Sequence, residues 1–388
     1  MKAIISGAGI AGLTAALALA REGWSVTVLE KAPGLRAGGY MLDFYGPGFE
    51  AAEDLGLIGA LREKARSVGR LDFVDARGRV GSSMDYQQIR RAAGDKLFPI
   101  LRGDIERALH AALPEAVELR YGSSIAALDN RTDGISATLA SGERLDADLL
   151  VGADGIHSAT RGLVFGDESQ FIRPLGYHTA AYFFESAAVA AALDGDFKLA
   201  AIRQRLVGLY EVEPNQIMAF FVLRADGLER PRDPRQVLKE GFGDLGWVVP
   251  QALAGMPGPE DIYYDVVAQI EMPRWHDNRV VLIGDAAHAV SLVAGQGASL
   301  AIAGGRALGQ ALSGTGTIEV ALDRFETQLR PLVLEKQQAG RRMADWFVPA
   351  SDGHVWLRDV TVNVLNWPPL AGLIGRFFAV SPKGFSLK

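Results

Sequence analysis

The chain of 388 residues contains no cysteine. That excludes disulfides, thiolate metal sites, a cysteine nucleophile and a cysteinyl-linked cofactor, and it agrees with a reducing, cytoplasmic setting. Positive charge is not in excess either: 40 Lys and Arg stand against 46 Asp and Glu, for a formal net charge of −6. A clustered basic face for nucleic acid is therefore not expected. No uninterrupted apolar run reaches the ~18 residues that a membrane span requires. Internal repeats and low-complexity linkers are absent as well. What remains is an ordinary globular composition, 48% hydrophobic and 22% charged, long enough for two or three lobes around a large core.

The start of the chain imitates a secretory signal, with Lys2, an apolar run and small residues at its end. Three phased glycines and a second β-like segment argue against that reading. "KAIISGAG" reads as a buried strand, "GLTAALALAREG" as a helix stopped by Gly23, and "SVTVLEK" as a second strand. Strand, glycine turn, helix and strand in that order make a βαβ unit and hence a parallel sheet. Within it Gly7, Gly9 and Gly12 fit G-x-G-x-x-G, and Glu30 ends the next strand. The first glycine permits a tight turn, the second a close approach to pyrophosphate, and the third close packing of helix on sheet. A helix N-terminus offers free N–H groups to the phosphates, and an acidic residue at the place of Glu30 accepts ribose hydroxyls.

Further along, a polar loop follows Glu30, then an amphipathic helix around "FEAAEDLGLIGALREKA" and a hairpin turning at Ala76-Arg77-Gly78. "GDIERALHAAL" is helical, with Asp104 as its expected N-cap. Residues 170–275 alternate as strands with little helix between them, which predicts an antiparallel sheet inserted in an α/β lobe. The expected domains are a dinucleotide lobe over 1–169 and 276–345, a substrate lobe over 170–275 joined by the hairpin near 70–100, and a C-terminal helical segment over 346–388. The fold class is thus α/β, a Rossmann-like parallel sheet plus a mainly antiparallel β lobe. In the tail, Trp356, Leu357, Val360, Val364, Leu365 and Trp367 precede Pro368-Pro369. They predict a helix that packs by its apolar face until proline ends it. A border to the substrate entrance, a dimer contact and simple core packing remain open roles for it.

Two more strand ends carry acids: "LLVGADGIHSATR", with Asp154, Gly155 and Arg161, and "VVLIGDAAH", with Gly284 and Asp285. The glycine-rich Gly295-Gln296-Gly297 that follows lacks the Lys-Ser/Thr of a phosphoryl-transfer loop. Singly, each aspartate could be an ordinary helix cap. In this order and context, however, the three motifs resemble the class A, single-component FAD-dependent aromatic hydroxylases, over nearly the whole chain. "RAGGYMLDFYG", "ILRGDIERAL", "ADGIHSATRGLVF", "YYDVVAQIEMPRW" and "GQGASLAIAGG" are similar to the tetracycline-inactivating branch.

The resemblance implies FAD held non-covalently, with Asp285 on the ribityl chain and the turn at Gly295, Gln296 and Gly297 against the flavin pyrimidine edge. It places Arg102 near the phosphate or ribityl region, Arg36 near the cofactor and Lys31 beside the adenosine. It puts Asp154, Gly155 and Arg161 near the pyrophosphate. It also implies NADPH or NADH as co-substrate, and O2 that hydroxylates an electron-rich aromatic, phenolic or polyketide-like molecule through a flavin C4a-hydroperoxide. With one G-x-G-x-x-G only, the nicotinamide is expected to bind transiently. No metal site is assigned, and the chain is expected to be a monomer or homodimer. Departures from the family pattern are Ala289 and Leu292 at common prolines, Ser299 at a common asparagine and Gly304 at a common acid; they bear on the pocket roof. His288 reads as a packed motif residue and His178, with Tyr177 and Tyr182, as core, although either histidine could serve catalysis. The absence of a W-x-W pair counts against a flavin halogenase. A reductase without oxygen chemistry and a non-catalytic flavin- or ligand-binding protein stand as alternatives.

Overall fold

The computed structural model describes residues 1–35, 39–291, 295–314, 316–349 and 351–365. Arg36, Leu292 and Trp367 lie outside the described residues. A six-stranded sheet runs in the order β17 (His276–Asp277), β18 (Val280–Leu282), β11 (Leu149–Gly152), β1 (Lys2–Ser6), β2 (Ser25–Glu30), β7 (Glu118–Tyr121). All its pairs are parallel except β17 with β18. The helix Ile10–Arg21 crosses from β1 to β2. β11 and β18 are buried along their whole length, as parallel strands covered on both faces must be.

The larger sheet has seven strands, in the order β16 (Tyr263–Ile270), β12 (Ile172–Glu185), β15 (Gln216–Arg224), β14 (Arg205–Glu213), β13 (Phe197–Ile202), β4 (Arg70–Val74), β5 (Val80–Asp85). It is antiparallel apart from β13 beside β4. Two small sheets complete the architecture: β3 (Met41–Phe44) with β6 (Phe98–Leu101), and β8 (Ile125–Asn130), β9 (Ile135–Leu139) and β10 (Arg144–Ala147). The α/β class with an inserted antiparallel lobe is the architecture observed. No described helix is long and apolar enough to cross a membrane.

Strand register sorts the large sheet into two faces. One carries Ala180, Tyr182, Phe184, Ala219 and Phe221, packed under the helices Ala187–Leu193, Pro234–Phe242 and Val249–Ala254. The other carries Ala181, Tyr210 and Met218, against which Phe183, Phe197, Phe220, Tyr40 and Met41 pack. This second, aromatic face looks toward the parallel sheet's side of the molecule through Tyr40 and Met41.

Local expectations shift in four places. The polar loop after Glu30 contains β3, because Met41–Phe44 finds a partner in β6. The single amphipathic helix is two, Pro47–Asp54 and Ile58–Glu63, parted at Gly56, whose φ of +64° ends the first. Asp104 is not an N-cap: the helix Arg102–Ala111 is capped at Leu101, and the buried Asp104 carboxylate pairs with Arg66 and Arg107. The tail helix Asp352–Leu365 does not pack by its apolar stripe. Trp356 is 67% and Leu357 54% exposed, while Val362 and Arg358 are buried. The Arg358 guanidinium lies over the Phe73 ring, donates to the Ala201 carbonyl and pairs with Asp359, so a cation anchors the helix.

Helix-to-helix closeness is set by small residues. A Cβ at Gly309 of the helix Gly297–Leu312 would stand 2.6 Å from the Ala18 Cβ. Gly309→Val should wedge the two helices apart and cost about 1–3 kcal/mol in denaturant unfolding. Gly59→Ala, at an exposed helical position with open space around its Cβ, should instead stabilise by about 0.5–1 kcal/mol.

Candidate functional site

Ser6, Gly152 and Leu282 sit at one level of the parallel sheet, Ser6 opposite Gly152 and Gly152 opposite Leu282. The chain therefore delivers Gly7, Asp154 and Asp285 to the same edge, beyond the carboxyl ends of neighbouring strands. β1 has β2 on one flank and β11 on the other, so this is also where the strand order switches direction, the usual crevice for a ligand. Gly7 has φ +104°, and a Cβ there would lie 2.5 Å from the Ala153 carbonyl oxygen. At Gly12 a Cβ would lie 1.9 Å from the Gly7 oxygen, which shows why the helix can start so close to the turn. Gly9 is different: a Cβ would meet nothing nearer than Arg102 Nη2 at 3.8 Å. It is the N-cap residue, and no side chain caps this helix, so its first N–H groups have no side-chain acceptor. The Glu30 carboxylate accepts from the Ala8 amide at 2.9 Å and the Ala32 amide at 2.8 Å. It pins the turn to β2 with lone pairs to spare. Lys31 is exposed beside it.

Across the crevice, Arg102 opens the helix after β6 and pairs with Glu106 at 2.9 Å. Burial presses its pKa down, but Glu106, Tyr40 and Asp285 outweigh this and raise it, so the charge is secure. Asp285 is exposed to solvent yet ringed by protein. Burial pushes its carboxyl above the ordinary range, and Arg102 offsets part of the rise. A carboxylate that solvent reaches but protein surrounds lines a recess of the crevice. Tyr263, 45% exposed, shares it: burial raises its hydroxyl, which feels Tyr40, Asp285 and Arg102. Asp285 Oδ1 lies 3.9 Å from where a Gly297 Cβ would be, at the uncapped start of the helix Gly297–Leu312. Gly295, at φ +63°, has open space around its Cβ position. Gln296 donates from Nε2 to the Tyr45 hydroxyl at 2.6 Å, and its buried Oε1 has no partner among the described residues. Burial pushes the Tyr45 hydroxyl up to about 12, so it stays neutral and able to donate.

The sequence profile described as "FAD binding domain" matches residues 1–241 and 247–333. The chain belongs to this family, among the class A flavin-dependent monooxygenases. An uncharacterized protein of Mycobacterium tuberculosis (strain ATCC 25618 / H37Rv) is 33% identical over 323 residues, 81% of this chain and 85% of its own. A flavin-dependent monooxygenase of Legionella longbeachae serogroup 1 is 28% identical, with 90% of each chain covered. The crystal structure of tetracycline destructase Tet(55) is similar with a TM-score of 0.83 at 26% identity, covering 100% of this chain and 98% of that one.

In this flavoprotein the D-G loop is stitched internally. Asp154 accepts from the Ser158 hydroxyl at 2.5 Å and from the Thr160 amide and hydroxyl at 2.9 Å each. Gly155 takes φ +84° in the turn. Arg161, fully buried, donates to the carbonyls of Ile156 and Ala286 and pairs with Glu168 at 2.8 Å. It ties the D-G loop to the residue after Asp285 rather than lining the cavity. Ser299, at the common asparagine, accepts from the Gly48 amide and donates to the Tyr45 carbonyl, clamping the turn before Pro47 onto the helix. A Cβ at Gly304 would make ordinary contact with Leu329 at 3.4 Å.

Neither histidine reaches the crevice chemistry. His178 lies on the helix-covered face of the large sheet, 3.0 Å from the Tyr264 hydroxyl and edge-on to that ring. Tyr182 on the same face donates to the Ala252 carbonyl. His288 packs against Trp275 with ring centres 4.7 Å apart and the planes tilted by 48°. Tyr40, Tyr45, Tyr210 and Tyr263 were not singled out from the sequence, since tyrosines in a loop and in alternating strands carry no spacing signal. Tyr210 accepts from the Met41 amide and so joins the aromatic sheet face to the cavity loop.

Burial depresses the His288 pKa to about 4. The unfolded chain binds that proton near pH 6.5, so stability falls as pH drops from there toward about 4. His288→Met should flatten that part of the profile of melting temperature against pH.

Proposed function

We propose that the protein uses NADPH or NADH and O2 to hydroxylate an electron-rich aromatic, phenolic or polyketide-like small molecule, tetracyclines being candidates. The observation that carries this reading is the cavity in which Asp285, Arg102 and two uncapped helix N-termini converge beneath an aromatic sheet face. Its chemistry fits FAD on three counts: open space at Gly295 with only the flexible Arg102 and Glu106 side chains near Gly9, a buried Gln296 Oε1 without a partner among the described residues, and two helix starts with no side-chain cap. In this reading the turn Gly7–Gly12 and its helix hold the pyrophosphate, Glu30 the ribose and Lys31 the adenosine edge. Arg102 balances phosphate charge, Asp285 accepts from the ribityl hydroxyls, and Gly295, Gln296 and Gly297 face the flavin pyrimidine edge. Asp154, Gly155 and Arg161 hold the loop beside the pyrophosphate. Residues 1–169 and 276–345 act as the FAD lobe, and 170–275 with the β4–β5 hairpin act as the substrate lobe.

When bound, FAD supplies hydride acceptance and oxygen activation. The chain's own groups supply the rest. The dipole of the helix Gly297–Leu312 and its amides favour negative charge at the pyrimidine edge. Ala181, Phe183, Tyr210, Met218 and Phe220 offer a flat apolar wall that orients a planar substrate and excludes water. Tyr263 and Tyr40 present hydroxyls able to bond a substrate oxygen.

Purified protein is expected to be yellow, with all flavin released to the supernatant on acid precipitation. Asp285→Ala should weaken FAD binding roughly ten- to a hundred-fold, the loss of a charge-assisted hydrogen bond. Asp133→Ala, on a carboxylate 83% exposed in the turn between β8 and β9, should leave it unchanged. A substrate panel scored by NADPH oxidation above the substrate-free rate, with product mass raised by one oxygen, tests the reaction. Oxidation of NADPH with no oxygen in the product would identify a reductase, and no turnover would identify a binding protein.

A further inference from the structure

His157 stands between two carboxylates from different parts of the fold. Its Nδ1 is 2.9 Å from Glu168 Oε1 and its Nε2 3.1 Å from Asp265 Oδ1. A neutral imidazole owns one N–H and can donate to only one of them; the imidazolium donates to both. The pair of contacts is therefore the geometry of a charged ring. The other Glu168 oxygen takes the Arg161 guanidinium at 2.8 Å, and Arg161 continues to the Ala286 carbonyl and feels Asp154. Asp265, 9% exposed at its side chain, also accepts from the Val266 amide at 2.8 Å and faces Arg230 at 4.0 Å. Asp265 and Tyr263 are two residues apart on β16 and so lie on one face of the strand. A continuous chain of contacts thus runs from the residue after Asp285, through Arg161, Glu168, His157 and Asp265, to the strand that carries Tyr263 into the cavity.

We propose that the His157 imidazolium is a positioning residue: it fixes β16, and with it Tyr263, against the Asp154–Ser158 loop, so that the substrate side of the cavity is set by a proton held outside it. This rests on the monooxygenase reading only for the meaning of the cavity. Hydrogen bonding to Asp265, with Glu168 adding to it, raises the His157 pKa above its ordinary value against the opposing effect of burial. For Asp265, burial acts upward, but the His157 and Val266 hydrogen bonds outweigh it and hold the carboxyl below its usual range. The tie is thus complete below the ordinary histidine value of about 6.5 and is lost as pH rises through the higher folded value. At the acid end it is lost as pH falls through the lowered value of Asp265.

The test is carbon-13 NMR of the purified full-length protein labelled at histidine and tyrosine rings. His157 and Tyr263 are assigned from the signals missing in His157→Gln and Tyr263→Phe. The His157 ring is expected to titrate above about 6.5, and the Tyr263 ring signal to shift with the same midpoint. Asp265→Asn and Glu168→Gln should each lower that midpoint, and in His157→Gln the Tyr263 signal should not respond to pH over this range. A His157 midpoint at or below 6.5, or a Tyr263 signal indifferent to it, overturns the proposal. If His157→Gln fails to fold, the two carboxylate variants carry the same test through the midpoint they share with Tyr263. These signals do not need flavin, so a colourless protein would contradict the monooxygenase reading while the His157 tie is still read directly.

Discussion

Everything at the site depends on how closely the helix Ile10–Arg21 can lie to its neighbours. A Cβ at Gly12 would collide with the Gly7 carbonyl, one at Gly284 with Ala11, and ones at Gly305 and Gly309 with Ala15 and Ala18. Four glycines on three chain segments therefore let one helix be shared as a packing surface by the sheet and by the helix Gly297–Leu312. With larger residues the backbones would separate by ångströms, and a densely packed interior does not yield smoothly to that. The consequence is electrostatic. Two helices that start beside the same crevice bring two sets of unpaired amides to it, and the short step from β18 into Gly284 puts Asp285 between them.

The crevice then has to hold charge in a poorly hydrated place. Arg102 is kept cationic by Glu106, and Asp285 is held partly in check by Arg102, so the wall is polar without being a simple cationic trap. A group with spread negative charge, such as a pyrophosphate or an electron-rich ring edge, suits helix amides better than it suits one more lysine. The opposite wall is supplied by the large sheet, whose inner rows are aromatic and whose link to the crevice runs through Tyr210 to the Met41 amide. The polar floor belongs to the parallel sheet and the apolar roof to the antiparallel one. The Arg161–Glu168–His157–Asp265 chain is one ionic connection between them, and Arg66, paired with Asp104 and with Glu213 of β14, is another.

How the tail helix and the D-G loop are built shows charge used as internal scaffold. Arg358 and Arg161 are both buried, and each donates to a backbone carbonyl of a distant segment. Losing either guanidinium would take a donor from a carbonyl and a countercharge from a carboxylate, which costs more than the loss of one exposed ion pair.

The sequence by itself determined the βαβ start, the parallel sheet, the inserted β lobe and the three motifs that meet at one edge. Glycine spacing and apolar periodicity are local properties, and the physics that requires them acts over a few residues. It also indicated that His288 would be packed, since the strand-end motif leaves it facing inward. What only the tertiary structure decided were contacts between distant segments. Whether Asp104 caps a helix or pairs with Arg66, and whether His178 looks into the cavity or under the helices, depends on strand register and on which face is covered. The tail helix shows the same limit: its apolar stripe reads as the buried side, yet a guanidinium over Phe73 and a carbonyl of β13 hold the opposite side. The tyrosines of the cavity and the His157 pair come from four regions of chain, and no spacing within any one of them encodes the meeting.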